Sequence, residues 1–218
     1  FLAFEGDATV SRRLWSDAAA EIGLGMLLVD EAAGGVGVDV PTLCVIFEEC
    51  GRVAAPIPLL ATTTAALLLH ELVAAGLATE RCTTLAGLLA EGATAAVAGV
   101  DGGLHVVDGC IHGDVGEVID GATADQLLLL AETAGGYALA WVPAGAPGLE
   151  RVARGTLDAT RPLARVQAAG VELGPDMTLA AAVIPAKLVE RALNRSRICL
   201  AAEALGGAQR CMDQAVEY

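Results

Sequence analysis

Aromatic residues are scarce, at 3% of 218 residues, and bases are outnumbered: 13 Lys and Arg stand against 27 Asp and Glu, a formal charge of −14. A chain this acidic has no basic stripe to release counterions from phosphate, and so few rings make no platform for stacked bases. No nucleic-acid partner is expected. Long apolar runs are missing too. The richest, Ala65 to Ala78, contains His70 and Glu71 and falls short of the ~20 apolar residues that a bilayer span needs. Phe1 to Asp7 lack the basic region and apolar run of a secretory signal, so neither membrane insertion nor export is expected. The cysteines, Cys44, Cys50, Cys82, Cys110, Cys199 and Cys211, form no C-x-x-C pair and read as core filler in a reducing cytoplasm. His70, His105 and His112 lie on different elements without metal-ligand spacing, so no metal is expected. Neither Ser11 nor Ser196 sits in a G-x-S-x-G elbow, which argues against a serine hydrolase.

What is present is apolar mass, 55% of the residues, much of it alanine. That is enough for two compact units and a third fragment. Residues 1–93 read as a helical domain. Ser11 to Gly23 puts Leu14, Trp15, Ala18 and Ile22 on one face, with Ser11 as N-cap and Gly23 as stop. After a glycine-rich turn, Asp39 caps a helix with Pro41 in its first turn and Leu43, Ile46, Phe47 and Cys50 as its buried stripe; Gly51 ends it. Leu59 to Gly76 is nearly all apolar and belongs at the centre, and Thr79 caps a fourth helix reaching Glu91.

Residues 94–183 read as an antiparallel β-sandwich or barrel. Its runs are Ala95–Val100, Leu104–Ile111, Gln126–Ala131, Tyr137–Val142 and Arg165–Glu172, reversed at Gly102-Gly103, Asp108-Gly109 and Gly135-Gly136. Residues 184–218 read as one helix of ~50 Å opening a second helical bundle. Its apolar seam runs along Leu193, Leu200, Ala204, Ala208, Cys211 and Ala215, and Gly206-Gly207 allow another helix to come close. The fold class is therefore α+β: a helical bundle, a β domain, and the first helix of a C-terminal bundle.

Several segments sharpen this order. Val29-Asp30-Glu31 … Gly34-Gly35-Val36-Gly37, Glu48-Glu49-Cys50-Gly51-Arg52, Val118 … Gly121 … Ala124-Asp125, Asp158-Ala159-Thr160-Arg161-Pro162-Leu163-Ala164 and Ala202-Glu203-Ala204-Leu205-Gly206-Gly207 stand in that sequence order. The chain resembles the acyl-CoA dehydrogenase family across essentially its whole length, in the alanine-rich form found in actinobacteria. Each segment alone is weak; together and in register they are specific. The resemblance implies FAD-dependent α,β-dehydrogenation of an acyl-CoA substrate, with electrons passed to an electron-transfer flavoprotein by a homo- or hetero-oligomer. It also implies that the rest of the bundle lies beyond Tyr218.

Carried over residue by residue, it places Val118 and Ile119 beside the flavin and Asn194 and Arg197 at the substrate's thioester arm. The catalytic base is not identified. One position that some relatives use falls on Ser196, and Glu203 lies two turns further on, as packing or as polar structure. The flavin-flanking triplet becomes Glu117-Val118-Ile119 without its hydroxyl, and the flavin loop becomes a bare Ala98–Gly103 turn. These departures favour a second reading, a non-catalytic subunit that completes a partner's site. Arg197 either faces a ligand or joins Arg195 on a solvated face.

Overall fold

The computed structural model describes residues 8–217, so the expectations for Phe1–Asp7 and Tyr218 lie outside it. The first helix, α1, spans Ala8–Ile22. It begins one turn before Ser11, which therefore sits inside the helix and caps nothing; no breaker in Ala8-Thr9-Val10 delays the start. Gly23, at φ +64°, ends it as expected. Trp15 anchors the helix, 3% exposed, with Nε1 donating to the Gly92 carbonyl at 2.7 Å. The glycine-rich turn contains a short helix, α2 (Leu24–Leu27), and a 3₁₀ turn at Glu31–Ala33.

Helix α3 (Val40–Arg52) is capped by Asp39, whose Oδ1 accepts from the Thr42 N–H at 3.0 Å. Phe47 and Leu43 are its buried face. It continues past Gly51, which is not a stop but a buried contact. Helix α4 (Leu59–Ala74) is buried around nearly its whole circumference, as an all-apolar helix must be. Helix α5 (Glu80–Ala90) closes the layer, with Gly92 after it at φ +97°.

The β layer is a seven-stranded sheet of β1 (Ala95–Ala98), β2 (Leu104–Val107), β3 (Cys110–Ile119), β4 (Gln126–Thr133), β5 (Gly136–Val142), β6 (Leu149–Arg154) and β7 (Leu163–Glu172). The hairpin pairs β2–β3, β4–β5 and β6–β7, together with β3–β7, are antiparallel, but β1 and β2 run parallel to β4. The Gly102-Gly103 turn is therefore a crossing rather than a hairpin. Asp108-Gly109 splits the expected Leu104–Ile111 run into two strands. Strand β4 is buried on both faces: Leu128 and Leu130 join the helical core, while Leu127, Leu129 and Ala131 join a core inside the sheet. An uninterrupted apolar run is what such a strand requires.

Helix α6 (Ala186–Glu217) leaves the sheet and lies across α4 and α3. Its buried line is Leu188, Ala192, Ser196, Cys199 and Gly206. The expected seam is rotated from this: Leu193 is buried and Leu200 half-buried, but Ala204, Ala208, Cys211 and Ala215 are exposed. Small residues win the inner line because the neighbouring helix approaches backbone to backbone.

That approach is reciprocal. A Cβ on Gly51 would lie 1.9 Å from the Glu203 carbonyl oxygen, and one on Gly206 would lie 1.9 Å from that of Glu48. The Glu-Glu-x-Gly-Arg end of α3 and the Glu-Ala-Leu-Gly-Gly stretch of α6 are thus two halves of one crossing.

Candidate functional site

A third motif reaches the same crossing. The loop joining β6 to β7, residues 155–162, carries Arg161, whose Nη2 pairs with Glu203 Oε1 at 2.7 Å. The loop is pre-shaped by Asp158, whose Oδ1 accepts from the Thr160 N–H at 2.9 Å and from the Thr160 hydroxyl at 2.6 Å. It is tied to the end of β3 by the Asp120 N–H, which donates to the Pro162 carbonyl at 2.8 Å. The end of β3, this loop, the α3–α4 connector and α6 thus enclose a cavity of about 10 Å³, room for about one water. Cys50, Ile57, Ile119, Asp120, Arg161 and Glu203 line it. Open grooves of about 770 Å³ flank it on either side.

Two carboxyls at this junction are unusual. Asp120 is 6% exposed with φ +55°, and no hydrogen bond from the described residues engages its side chain. Burial pushes its pKa up to about 7, against the opposing pull of Arg161. Glu203 Oε2 is buried without a hydrogen-bond partner among the described residues. Burial, reinforced by Glu203 and Glu49, raises the Cys50 thiol to about 11, so it is protonated and inert at neutral pH.

The residues singled out from the sequence are only partly brought together. Val118 is 2% exposed in the core inside the sheet, next to a bulge in the β3–β7 ladder, so its side chain can touch no ligand. Ile119 faces the helices and lines the small cavity. Asn194 and Arg197 are exposed, one turn apart; the Asn194 Oδ1 accepts from Arg197 Nη1 at 3.0 Å. Arg197 looks toward Asp101, at 3.8 Å, in the Ala98–Gly103 turn. It does not pair with Arg195 on one face, because Arg195 turns inward to Glu71 at 2.9 Å.

Ser196 is buried, and its hydroxyl is engaged by Thr64 at 2.6 Å. Glu117 is exposed. His70 binds Asp30 at 2.8 Å, while His105 and His112 stack across β2 and β3. Among the described residues no group of His, Cys, Asp and Glu could hold a metal ion, and no helix is long and apolar enough to cross a membrane.

Sequence reasoning missed Asp120, Arg161 and Glu71 as interacting groups. Asp120 had one available signal, an Asp-Gly pair directly after a strand, where a left-handed backbone is expected. Asp125, quoted as part of a motif, is structural. Burial alone would raise its pKa, but the Thr94 N–H and hydroxyl, at 3.0 and 2.9 Å, and Arg12 hold it below the ordinary range.

The geometry at this junction does not by itself fit an FAD. The enclosed cavity is far too narrow for a ring system, Val118 is turned away, and Ile119 offers no side-chain donor. The described residues do not by themselves form a flavin pocket.

Comparison with known proteins gives a consistent picture. The model of the acyl-CoA dehydrogenase N-terminal domain matches residues 3–92, and that of the acyl-CoA dehydrogenase C-terminal domain matches residues 186–218. The chain is 30% identical over 217 residues to acyl-CoA dehydrogenase IpdE2 of Mycobacterium tuberculosis, covering 99% of this chain and 56% of that protein. It is 30% identical over 216 residues to acyl-CoA dehydrogenase FadE34 of the same organism, covering 98% of this chain and 27% of that one.

The chain thus spans about half the length, or less, of the curated relatives it matches. Among solved structures it is similar to a variant of the steroid ACAD Tcur3481-Tcur3483, at 27% identity and TM-score 0.78, covering 97% of this chain and 58% of that one. It has the fold of butyryl-CoA dehydrogenase from Megasphaera elsdenii, at 21% identity and TM-score 0.74, over 98% of this chain and 65% of that one.

Proposed function

This chain belongs to the acyl-CoA dehydrogenase family, and on that premise we propose that it is part of an FAD-dependent oxidoreductase that dehydrogenates an acyl-CoA thioester between its α and β carbons. The observation that carries the reading is the alignment, which runs through 99% of the chain and through helices, sheet and long helix in one order. Bound FAD would supply the hydride acceptor. An electron-transfer flavoprotein would accept the electrons, and the working unit would be an oligomer in the cytoplasm. Residues 1–93, 94–183 and 184–218 would be the helical domain, the β domain and the start of the C-terminal bundle.

This chain's own residues would bind and orient. Arg197, steadied by Asn194, presents an exposed guanidinium that could hold an anionic arm or a polarised carbonyl. The backbone at Ile119 would border the flavin, and the apolar side chains of α3 and α6 around it would keep water from that side. No proton is abstracted by a described residue in this scheme. Ser196 is occupied by Thr64, and Glu203 is held by Arg161.

The same two facts support a second reading, a dehydrogenase-like subunit that completes a partner's site. One set of measurements separates the readings: the visible absorbance of oxidised flavin in the purified protein, and its bleaching by acyl-CoA. Flavin bound and bleached by the protein alone supports the enzyme. Flavin only with a second polypeptide supports the subunit reading, and no flavin in either state discards both. Arg197→Ala is expected to weaken acyl-CoA binding at least ~tenfold without loss of folding, because the side chain is exposed.

A further inference from the structure

The β6–β7 loop is held to the body of the molecule by few bonds. Most of its hydrogen bonds are internal, around Asp158, and Leu157 at its tip is fully exposed. Among the described residues two polar contacts fasten it: the Asp120 N–H to the Pro162 carbonyl, and Arg161 to Glu203. Both close the small cavity whose wall includes the carboxyl of Asp120. We propose that this loop is a pH-gated strap, held against α6 while Asp120 is neutral and released when Asp120 ionises.

The physical reason is the position of that carboxyl. It is buried, hangs from a backbone in the left-handed region and accepts no hydrogen bond from the described residues, so its ionised form faces only the Arg161 guanidinium, which Glu203 already holds. Two movements can relieve the charge. Water reaches it if the loop lifts, or Arg161 turns to it and leaves Glu203. Either one breaks the link between loop and α6.

The other groups facing Asp120 do not offer a substitute. Across the cavity, α3 presents the Cys50 thiol and α6 presents Glu203. Around the open groove, α1 presents Arg12, already bound to Asp125 at 3.0 Å, and the end of α5 presents Glu91.

The sign follows from linkage. Closure favours the neutral acid, whose pKa is raised when buried and ordinary when hydrated, so opening grows as pH rises from about 4 to about 7 and levels off above. The proposal concerns side chains of this chain alone and stands whether or not flavin is bound.

The test is amide hydrogen exchange of residues 155–161 in the native protein and in Asp120→Asn, compared at each pH so that the intrinsic rates cancel. The native-to-variant ratio is expected to be near one at pH 4 and below and to rise ~tenfold or more by pH 8. Glu203→Ala, which removes the tether, should exchange fast at both pH values. A ratio that stays flat overturns the proposal. Should Asp120→Asn fail to fold, carbon-detected titration of the native Asp120 carboxyl decides. A midpoint near neutral, shared by the loop amides, supports the strap, and an ordinary carboxylate midpoint refutes it.

Discussion

The two ends of α6 are built on opposite terms. Near its start, Glu71 of α4 is 2% exposed and is gripped by both Arg191 and Arg195, amid Leu188, Val189, Ala192 and Leu193 packed into the main core. From Gly206 onward the helix shows Met212 and Val216 to solvent, at 63% and 87% exposure, and rests against the end of α3. The first half is fastened by a buried carboxylate held by two arginines; the second half begins beside the cavity where Asp120 and Glu203 share the single guanidinium of Arg161. Stability and unmet polar capacity have been segregated along a single helix, as expected where one part of a structure holds another ready for ligands or partners.

The contrast can be tested by substitution. Replacing both Arg191 and Arg195 by Ala leaves the buried Glu71 carboxylate unpaired and should cost about 3–5 kcal/mol in denaturant unfolding. Glu71→Ala should cost less, since both arginines can turn to water. If Arg161→Ala, which only frees Glu203, costs as much as the double variant, the two ends are not different. Gly206→Ala should cost about 1–3 kcal/mol, because the added methyl strikes the Glu48 carbonyl rather than a movable side chain.

The pH dependence of unfolding gives a third comparison. A carboxyl whose pKa is raised by folding stabilises the native state fully below its unfolded value and less as pH rises through the folded one. The contribution of Asp120 should therefore fall between about pH 4 and pH 7, and Asp120→Asn should flatten that slope. Smallest of all, Val216→Ala should change stability by no more than about 0.5 kcal/mol.

Thiol reactivity reports the same divide. Cys211 is exposed, whereas burial, with Cys44 adding to it, pushes Cys199 up to about 12, so alkylation should reach Cys211 first and Cys199 last.

Much of this was legible in the sequence. Asp39 with Pro41, Gly23, and the double-faced Leu127–Leu130 run each carry a local physical signal strong enough to place an element. Strand β6 was missed because Glu150, Arg151 and Arg154 give it no buried face; it is an edge strand, held by β7 alone.

Gly51 was misread because the same residue can end a helix or let another one touch it, and only the distant Glu203 decides between these. The site fails to read out for the same reason. Asp120, Arg161 and Glu203 are separated by some 40 residues at each step, and nothing local marks them as neighbours. Arg197 was legible as a candidate because its motif is local, although its exposure was not.

The Gly51–Gly206 crossing has a mechanical consequence. Where two helices rest on side chains, rotamers can slip and absorb a displacement; here peptide groups bear directly on each other and have nothing to yield. A displacement of the second half of α6 is therefore expected to pivot at this contact and to be felt at Glu203, one turn away from it. Whatever seats itself on Met212 and Val216 thus has a stiff handle on the guanidinium of Arg161.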